Sequence, residues 1–408
     1  MFSFLGGQKK YLTVLFEISS GSVTTFLFNT DSAMDSAKLI LKKSFAVPTA
    51  EVASADGIKR GILKALKESA VATENAIDYL TVQRSRLHKQ KIKNCYVALS
   101  SPWYISQTKV IRSPKEESFT VSPKFLADLV EVEKNRIISS LDKGRQLDNL
   151  KDKASALESH IMRVKLNGYT TEKPMGKSAQ FSELSVYLSV APEEFTNKVI
   201  KTVNGVFGGV SVEFATFPYV LYEAVSIADP SVTHYLLIDV REEITELTLV
   251  KKGIIFETYT IPCGTGYFIR KIAESMNTLP AVAHSMLRIC YEGKSEPNVK
   301  NEINEALSKA EEWPNYMEKA FKYFAEEYFL PSKIRIESDP VFTEPLTDII
   351  LKKAFRQFPS DMESYKIEKV SDIVKKDVIS GMKSTNQFTS SHTKLFVAKE
   401  LQGENAIA

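Results

Sequence analysis

Apolar positions along the chain fall into two patterns, one of period two and one of helical spacing. Residues 11–18 (YLTVLFEI) and 23–28 (VTTFLF) are apolar runs rich in β-branched and aromatic types, separated by Ser19-Ser20-Gly21-Ser22. That order predicts a strand, a tight turn and a second strand. Residues 57–82 place Ile58, Ile62, Leu63, Leu66, Val71 and Ile77 near helical spacing. Strands are predicted over 95–99 (CYVAL) and 104–111 (YISQTKVI). Ser122 before Pro123 reads as an N-cap with proline at the first helical position. The helix it opens carries an apolar face of Phe125, Leu126, Leu129, Val130 and Val132. The stretch 142–155, rich in Lys, Asp and Gln, predicts an exposed loop or frayed helix. Strands follow at 160–166 and 183–190, then a helix at 192–206 and a strand at 210–214.

The first pattern then restarts. Residues 234–239 (HYLLID) form a buried-type strand, and 245–250 (TELTLV) and 254–261 (IIFETYTI) alternate around a Lys251-Lys252-Gly253 turn. Helices are predicted at about 266–277, 281–292, 299–309, 314–329 and 346–355, with a short strand at 333–337. The tail from about 384 is rich in Ser, Thr and Asn, and 393–401 repeats a short helical pattern, which predicts a helix docking back onto the first half. A hairpin that recurs after more than two hundred residues predicts two related α/β halves. An α/β insertion over 95–210 separates them.

Composition narrows the class without naming a chemistry. The chain has 408 residues, 53 Lys plus Arg against 50 Asp plus Glu, and a net charge of +3. This excludes disordered, collagen-like and disulfide-stapled chains and gives no general reason to expect nucleic acid. Three cysteines (Cys95, Cys263, Cys290) fit a reducing compartment. Neither they nor the scattered histidines show metal-ligand spacing. No apolar run is long enough for a membrane helix, and Met1-Phe-Ser-Phe-Leu lacks the charge order of a signal peptide. The sequence therefore reads as cytoplasmic, with no direct membrane insertion. The basic stretch Arg84–Lys93 reads as a solvated helix end or linker.

Both hairpins carry an acidic residue at the end of their first strand. The first turn reads Glu17-Ile18-Ser19-Ser20-Gly21-Ser22 and the second Asp239-Val240-Arg241-Glu242-Glu243-Ile244-Thr245. Further along, Asn167-Gly168-Tyr169 with Pro174-Met175-Gly176-Lys177 marks a hairpin in the insertion. Ile261-Pro262-Cys263-Gly264-Thr265-Gly266 marks a strand–glycine–helix step. In this order and spacing the chain resembles the actin-like ATPase superfamily, in its bacterial branch of cell-division FtsA and type IV pilus assembly PilM proteins, more closely the latter. The resemblance covers about residues 11–360. It implies an actin-like α/β fold of two RNase H-like halves with an inserted SHS2-type α/β subdomain (1C). The first half (1A) would be 1–94, completed by 211–232 and about 366–401. The insertion would be 95–210, the second half (2A/2B) 233–365, and 402–408 a flexible tail.

The resemblance also implies a nucleotide site in which backbone N–H groups approach phosphates and an acidic side chain orients Mg²⁺ or water. The residues carried over to ATP and Mg²⁺ are Glu17, Ser20, Gly21, Ser22, Asp239, Thr245, Gly264, Thr265 and Gly266, with Asp239 holding the metal through water. The departures from the pattern argue against efficient hydrolysis. Glu17 replaces the family's first aspartate, Ser19 and Arg241 stand at the two turn glycines, and Ser338-Asp339-Pro340 replaces a glycine pair at the adenosine motif. A side chain at a phosphate-cradling glycine blocks backbone approach. Two glutamates beside a triphosphate repel it. Like unit charges about 4 Å apart cost roughly 1 kcal/mol in water and about 4 at an effective dielectric of 20.

Other candidates have plainer readings. Cys263 beside the glycine step reads as a buried structural thiol rather than a nucleophile. Trp103 and Tyr104 read as a packed strand end or a partner-binding edge. The aromatic set from Trp313 to Phe329 reads as core or as a partly exposed groove. The final helical pattern has only two lysines, weak support for the lipid-binding tail of FtsA-like proteins. PilM-like proteins instead hold a short cytoplasmic peptide of a membrane-spanning partner. The sequence therefore predicts a cytoplasmic scaffold, peripheral at the inner membrane, for type IV pilus or related secretion assembly. Self-association is open. An active ATPase using Glu17 and Asp239, or an FtsA-like filament protein, are the alternatives.

Overall fold

The structure, a computed structural model, describes residues 10–31, 37–47, 55–83, 92–143, 153–352, 354–359 and 364–378. The basic stretch up to residue 91 and the tail pattern at 393–401 lie outside the described residues. The chain divides into two compact units. Of the described residues, one holds those up to Ile18 together with Ser22–Ala224; the other holds Ser19–Gly21 and those from Val225.

The first unit opens with β1 (Lys10–Ile18), β2 (Ser22–Asp31) and β3 (Ala37–Ala46), then helix α1 (Ala55–Gln83) and β4 (Ile92–Leu99). An α/β insertion follows: β5 (Ile105–Thr120), α2 (Pro123–Lys143), β6 (Ala154–Leu166), β7 (Tyr169–Thr170) and β8 (Ser178–Pro192). Helix α3 (Glu193–Phe207), β9 (Val212–Thr216) and α4 (Phe217–Ala228) return the chain to the first sheet and beyond. That sheet has the order β3-β2-β1-β4-β9. The two apolar runs at the N-terminus are its antiparallel hairpin, with Val14 opposite Leu27 and Glu17 opposite Thr24. The core below holds Phe16, Ile18 and Leu27 against Ile62 and Leu66 of α1 and Val199 and Val203 of α3. Trp103 stacks on Phe195 at 4.6 Å between ring centres, so it is core.

The insertion builds its own sheet, ordered β5-β8-β6-β7. Helix α2 covers one face, packing Leu126 and Ile137 against Val164, Leu184, Val186 and Leu188. Its expected N-cap is present: the Phe125 N–H donates to Ser122 Oγ at 3.1 Å. The Asn167-Gly168 turn has φ of 49° and 88°, the left-handed pair that a two-residue hairpin requires.

The second unit repeats the first sheet's pairing. It runs β10 (Tyr235–Val240), β11 (Thr245–Lys251), β12 (Ile254–Ile261), then α5 (Thr265–Ser275), α6 (Pro280–Tyr291), α7 (Pro297–Ser308) and α8 (Glu312–Glu327). β13 (Lys333–Ser338), α9 (Pro340–Lys352), β14 (Lys366–Lys369) and α10 (Val370–Val378) complete it. The order is β12-β11-β10-β13-β14. In both sheets the first three strands meander antiparallel and the last two join in parallel. Identical pairing in both units is the physical form of the repeat seen in the sequence. Trp313, fully buried on α8, anchors this core beside Phe268.

Three expected boundaries move, one of them the insertion's end at 210, since α3 packs Phe195, Val199 and Val203 into the first sheet's core. β4 pairs in parallel with β1, Cys95 beside Val14, so residues 95–99 belong to the first sheet and the insertion's sheet begins at Ile105. β14 pairs with β13, so 366–369 builds the second sheet rather than completing the first half. Sheet membership depends on register with a distant strand, which a local apolar run does not encode. The expected loop at 142–155 gives way to strand at Ala154, where β6 pairs with β8.

Arg335 is a charge in the second core. It lies on β13 with no exposed surface, its guanidinium 4.5 Å above the Tyr235 ring and ion-paired to Asp229 just after α4. The Ser231 hydroxyl, and next Arg335, hold the Asp229 carboxyl below the ordinary carboxylate range. A depressed folded pKa stabilises at neutral pH, and this contribution is lost as pH falls through the carboxylate range. Asp229→Asn is therefore expected to lower the urea midpoint at pH 7, with the difference from the parent shrinking below about pH 4. Urea titrations of both proteins across pH check this.

Candidate functional site

Two places carry candidate chemistry, one in each unit. In the second unit β10 ends at Asp239-Val240 and β11 begins at Thr245, leaving a turn at 241–244. The turn closes on itself, with the Arg241 N–H donating to Ile244 O at 2.8 Å. Asp239 is buried, and Arg241 Nε lies 2.8 and 3.0 Å from its two carboxylate oxygens. The acidic residue expected to orient a metal is thus paired with the arginine two positions on. Among the described residues no group of three or more His, Cys, Asp or Glu side chains is placed to hold a metal ion.

The same turn caps helix α5. The N–H groups of Thr265 and Gly266 donate to the carbonyls of Arg241 at 2.8 Å and Glu242 at 2.7 Å. A helix N-terminus attracts anions because its first N–H groups lack partners; here two of them have main-chain partners. This approach explains the Gly264-Thr265-Gly266 step. A Cβ at position 264 would lie 2.1 Å from Arg241 O, and one at 266 would lie 2.6 Å from Glu243 Oε1. Glu243 is in turn held by both terminal nitrogens of Arg270, at 2.7 and 2.9 Å.

Residues Ser19–Gly21, which group with this unit, meet the turn. The Ser19 hydroxyl donates to the Glu242 carboxylate at 2.6 Å, and the Glu243 N–H donates to Ser20 Oγ at 3.1 Å. Gly21 lies against Glu242: a Cβ there would be 2.9 Å from Glu242 Cβ. Ser20, Gly21, Asp239, Gly264, Thr265 and Gly266 are therefore gathered around one turn. Thr245 is set apart in the core, where its hydroxyl donates to Cys263 O at 2.7 Å and accepts from Trp313 Nε1 at 2.9 Å. Glu17 and Ser22 belong to the first unit, Glu17 buried at the end of β1 beside Ala98 and Ser22 starting β2 opposite Ala46. Burial, first of all, pushes the Cys263 thiol up to about 12, so it is no nucleophile at neutral pH. After β13, Asp339 caps α9 by accepting the Val341 N–H at 3.1 Å, and the Ser338 and Thr343 hydroxyls bond at 2.8 Å. Side-chain caps thus fill the place where the family resemblance implies a glycine pair.

The second place is a groove in the first unit, of about 540 Å³, walled by β6, α3 and β9. Its lining includes Glu158, His160, Asn197, Ile200, Glu213 and Phe214. Both flanking strands are sheet edges. β9 ends its sheet, and β7 covers β6 only at Lys165 and Leu166. Glu158, a buried carboxylate, ties the two at one end. One oxygen accepts the Thr216 N–H at 2.8 Å, the Thr216 hydroxyl at 2.5 Å and the Ser189 hydroxyl at 3.2 Å. The other lies 3.0 Å from His160 Nε2, whose ring stacks on Tyr219 at 3.7 Å. Because the Thr216 N–H points off the outer edge of β9, strand alternation turns the backbone of Phe214 and Val212 to that side as well. Nothing in the sequence singled out Glu158 or His160. Their only local signal is a Glu-x-His alternation on a strand, which many solvent-facing strands share.

No protein-family model and no curated protein matches the chain. Solved structures do. A chain of the PilM-PilN type IV pilus biogenesis complex is 15% identical, with 96% of this chain and 98% of that chain covered at a TM-score of 0.54. The ethanolamine utilization protein EutJ from Carboxydothermus hydrogenoformans is 11% identical over 96% and 89% of the two chains, at 0.42. A Bacteroides thetaiotaomicron protein with actin-like ATPase fold is 9% identical over 90% and 94%, at 0.41. At these identities the likeness is one of fold. The actin-like α/β fold that the family resemblance implies is the one found.

The turn's close packing makes a direct prediction. Gly264→Ala is expected to destabilise the protein by about 1–3 kcal/mol or more through overpacking against Arg241 O. Gly205→Ala, in helix α3 with no atom within 4 Å of the added carbon, is expected to be neutral or stabilising by up to about 1 kcal/mol. Chemical denaturation of the two variants checks the contrast.

Proposed function

We propose that the protein is a scaffold or adaptor for type IV pilus or related secretion assembly, and that it captures an extended peptide of a membrane-embedded partner in the groove between β6 and β9. Support comes first from that groove. It presents two sheet edges and an acidic lining in one unit, and added strands gain affinity from main-chain hydrogen bonds with side-chain pockets supplying specificity. The likeness of fold to the PilM-PilN complex supports the same setting. Among the described residues no helix is long and apolar enough to cross a membrane. In this reading the protein works at the cytoplasmic face of the inner membrane, and the partner supplies the attachment. The nucleotide site implied by the fold resemblance is read as degenerate. Its expected helix N–H donors already serve protein carbonyls, and its acidic residue already serves an arginine.

Labelled peptides covering the cytoplasmic tails of inner-membrane pilus-assembly proteins, titrated by fluorescence anisotropy, test the reading. One tail is expected to bind. Asn197→Trp, on the exposed groove wall of α3, is expected to weaken it by about tenfold or more with an unchanged melting temperature. Absence of binding by every tail would remove the reading.

A further inference from the structure

The turn of the second unit holds features that a scaffold reading leaves unused. Four backbone N–H groups converge there, on Arg241, Glu243, Thr265 and Gly266. Each donates within the protein: to Ile244 O, Ser20 Oγ, Arg241 O and Glu242 O. Three carboxylates (Asp239, Glu242, Glu243) and two guanidiniums (Arg241, Arg270) also meet there. Arg241 is paired with Asp239 and Arg270 with Glu243. Glu242 is the remaining carboxylate, and it accepts the Ser19 hydroxyl at 2.6 Å. The space is closed as well, since added carbons at Gly21, Gly264 and Gly266 would lie 2.9 Å or less from turn atoms.

We propose that the Arg241–Glu243 segment is a built-in ligand for this cradle, latched by Ser19 and Ser20, so that the site is held in one state without nucleotide. The physical case rests on substitution of one anionic partner by another. Peptide carbonyls carry the partial negative charge that the α5 N-terminus attracts, and two of them sit where a bound anion would. The Glu242 carboxylate accepts a serine hydroxyl as a phosphate oxygen would. A phosphate entering here would have to break the Thr265 and Gly266 hydrogen bonds. It would then face a site whose carboxylates already outnumber its guanidiniums. An incoming anion therefore meets main-chain donors that are already bonded and one more carboxylate than guanidinium. A Mg²⁺-nucleotide does not fit this arrangement.

Amide hydrogen exchange on the full chain, read at Glu243, Thr265 and Gly266 with and without millimolar Mg²⁺-ATP or Mg²⁺-ADP, tests the latch. The three amides are expected to exchange slowly, at rates that nucleotide leaves unchanged, and calorimetry is expected to show no binding heat. Ser20→Ala removes the acceptor of the Glu243 N–H. It is expected to speed that amide by about tenfold while Thr265 and Gly266 stay slow. Glu242→Gly is expected to loosen all three, and Ser20→Ala keeps the test open should that variant fail to fold. Nucleotide-induced protection or binding heat in the parent protein would overturn the proposal. So would a Glu243 amide that Ser20→Ala does not change.

Discussion

The N-terminus of α5 is the constraint on which the second unit's chemistry depends. A helix start leaves donors that need partners, and here the Arg241 and Glu242 carbonyls provide them for Thr265 and Gly266. Everything local follows from that closeness. Position 264 has no room for a side chain, and position 266 has almost none. Fixing the carbonyls fixes the turn, and the turn sets where Glu242 and Glu243 project. Those side chains then find Ser19 and Arg270. A glycine–threonine–glycine step that reads as a phosphate cradle in sequence is equally what a protein needs to bring a turn against a helix end.

That ambiguity shows how far the sequence was legible. The two hairpins were readable because β1 and β10 are central strands buried on both faces, which turns them into continuous apolar runs. The repeat followed from these runs, and the structure gives it as the same pairing order in two sheets. Sheet membership was not readable for β4 or β14, since a strand's partner lies far away in sequence. Helix α4 gave no period because it is apolar nearly all round, with Phe217, Val220, Leu221, Ala224 and Val225 fully buried. At the turn, the residue types were visible and their partners were not. Arg241 was visible only as a side chain at a turn glycine; the 2.8 Å approach of its Nε to Asp239 is what shows its partner.

Glu158 is the counterpart of the α5 cap in the first unit. A buried carboxylate is costly unless its oxygens are satisfied. Thr216, Ser189 and His160 satisfy them. The result joins β9 to β6 through a side chain rather than through a strand ladder. A ladder would have sealed both edges along their length. A single side-chain tie holds the strands near each other at one end and leaves the backbone of Phe214 and Val212 facing the groove. Edge strands of this kind invite pairing and are usually blunted by charge or cover; the acidic lining from Glu158 and Glu213 is the charge seen here.

The two sites therefore differ in where hydrogen-bonding capacity remains. At the turn, the main-chain N–H groups of Glu243, Thr265 and Gly266 are bonded to a serine and to carbonyls, and Asp239 is paired with Arg241. At the groove, the sheet edges keep main-chain groups directed at open volume. Binding free energy comes from groups that exchange water for a ligand, since groups already satisfied inside the protein have little left to gain. By that criterion the strand edge of the first unit is where the proposed peptide would gain main-chain hydrogen bonds. The turn of the second unit contributes order, because each of its polar contacts holds glycine steps and glutamates in one arrangement.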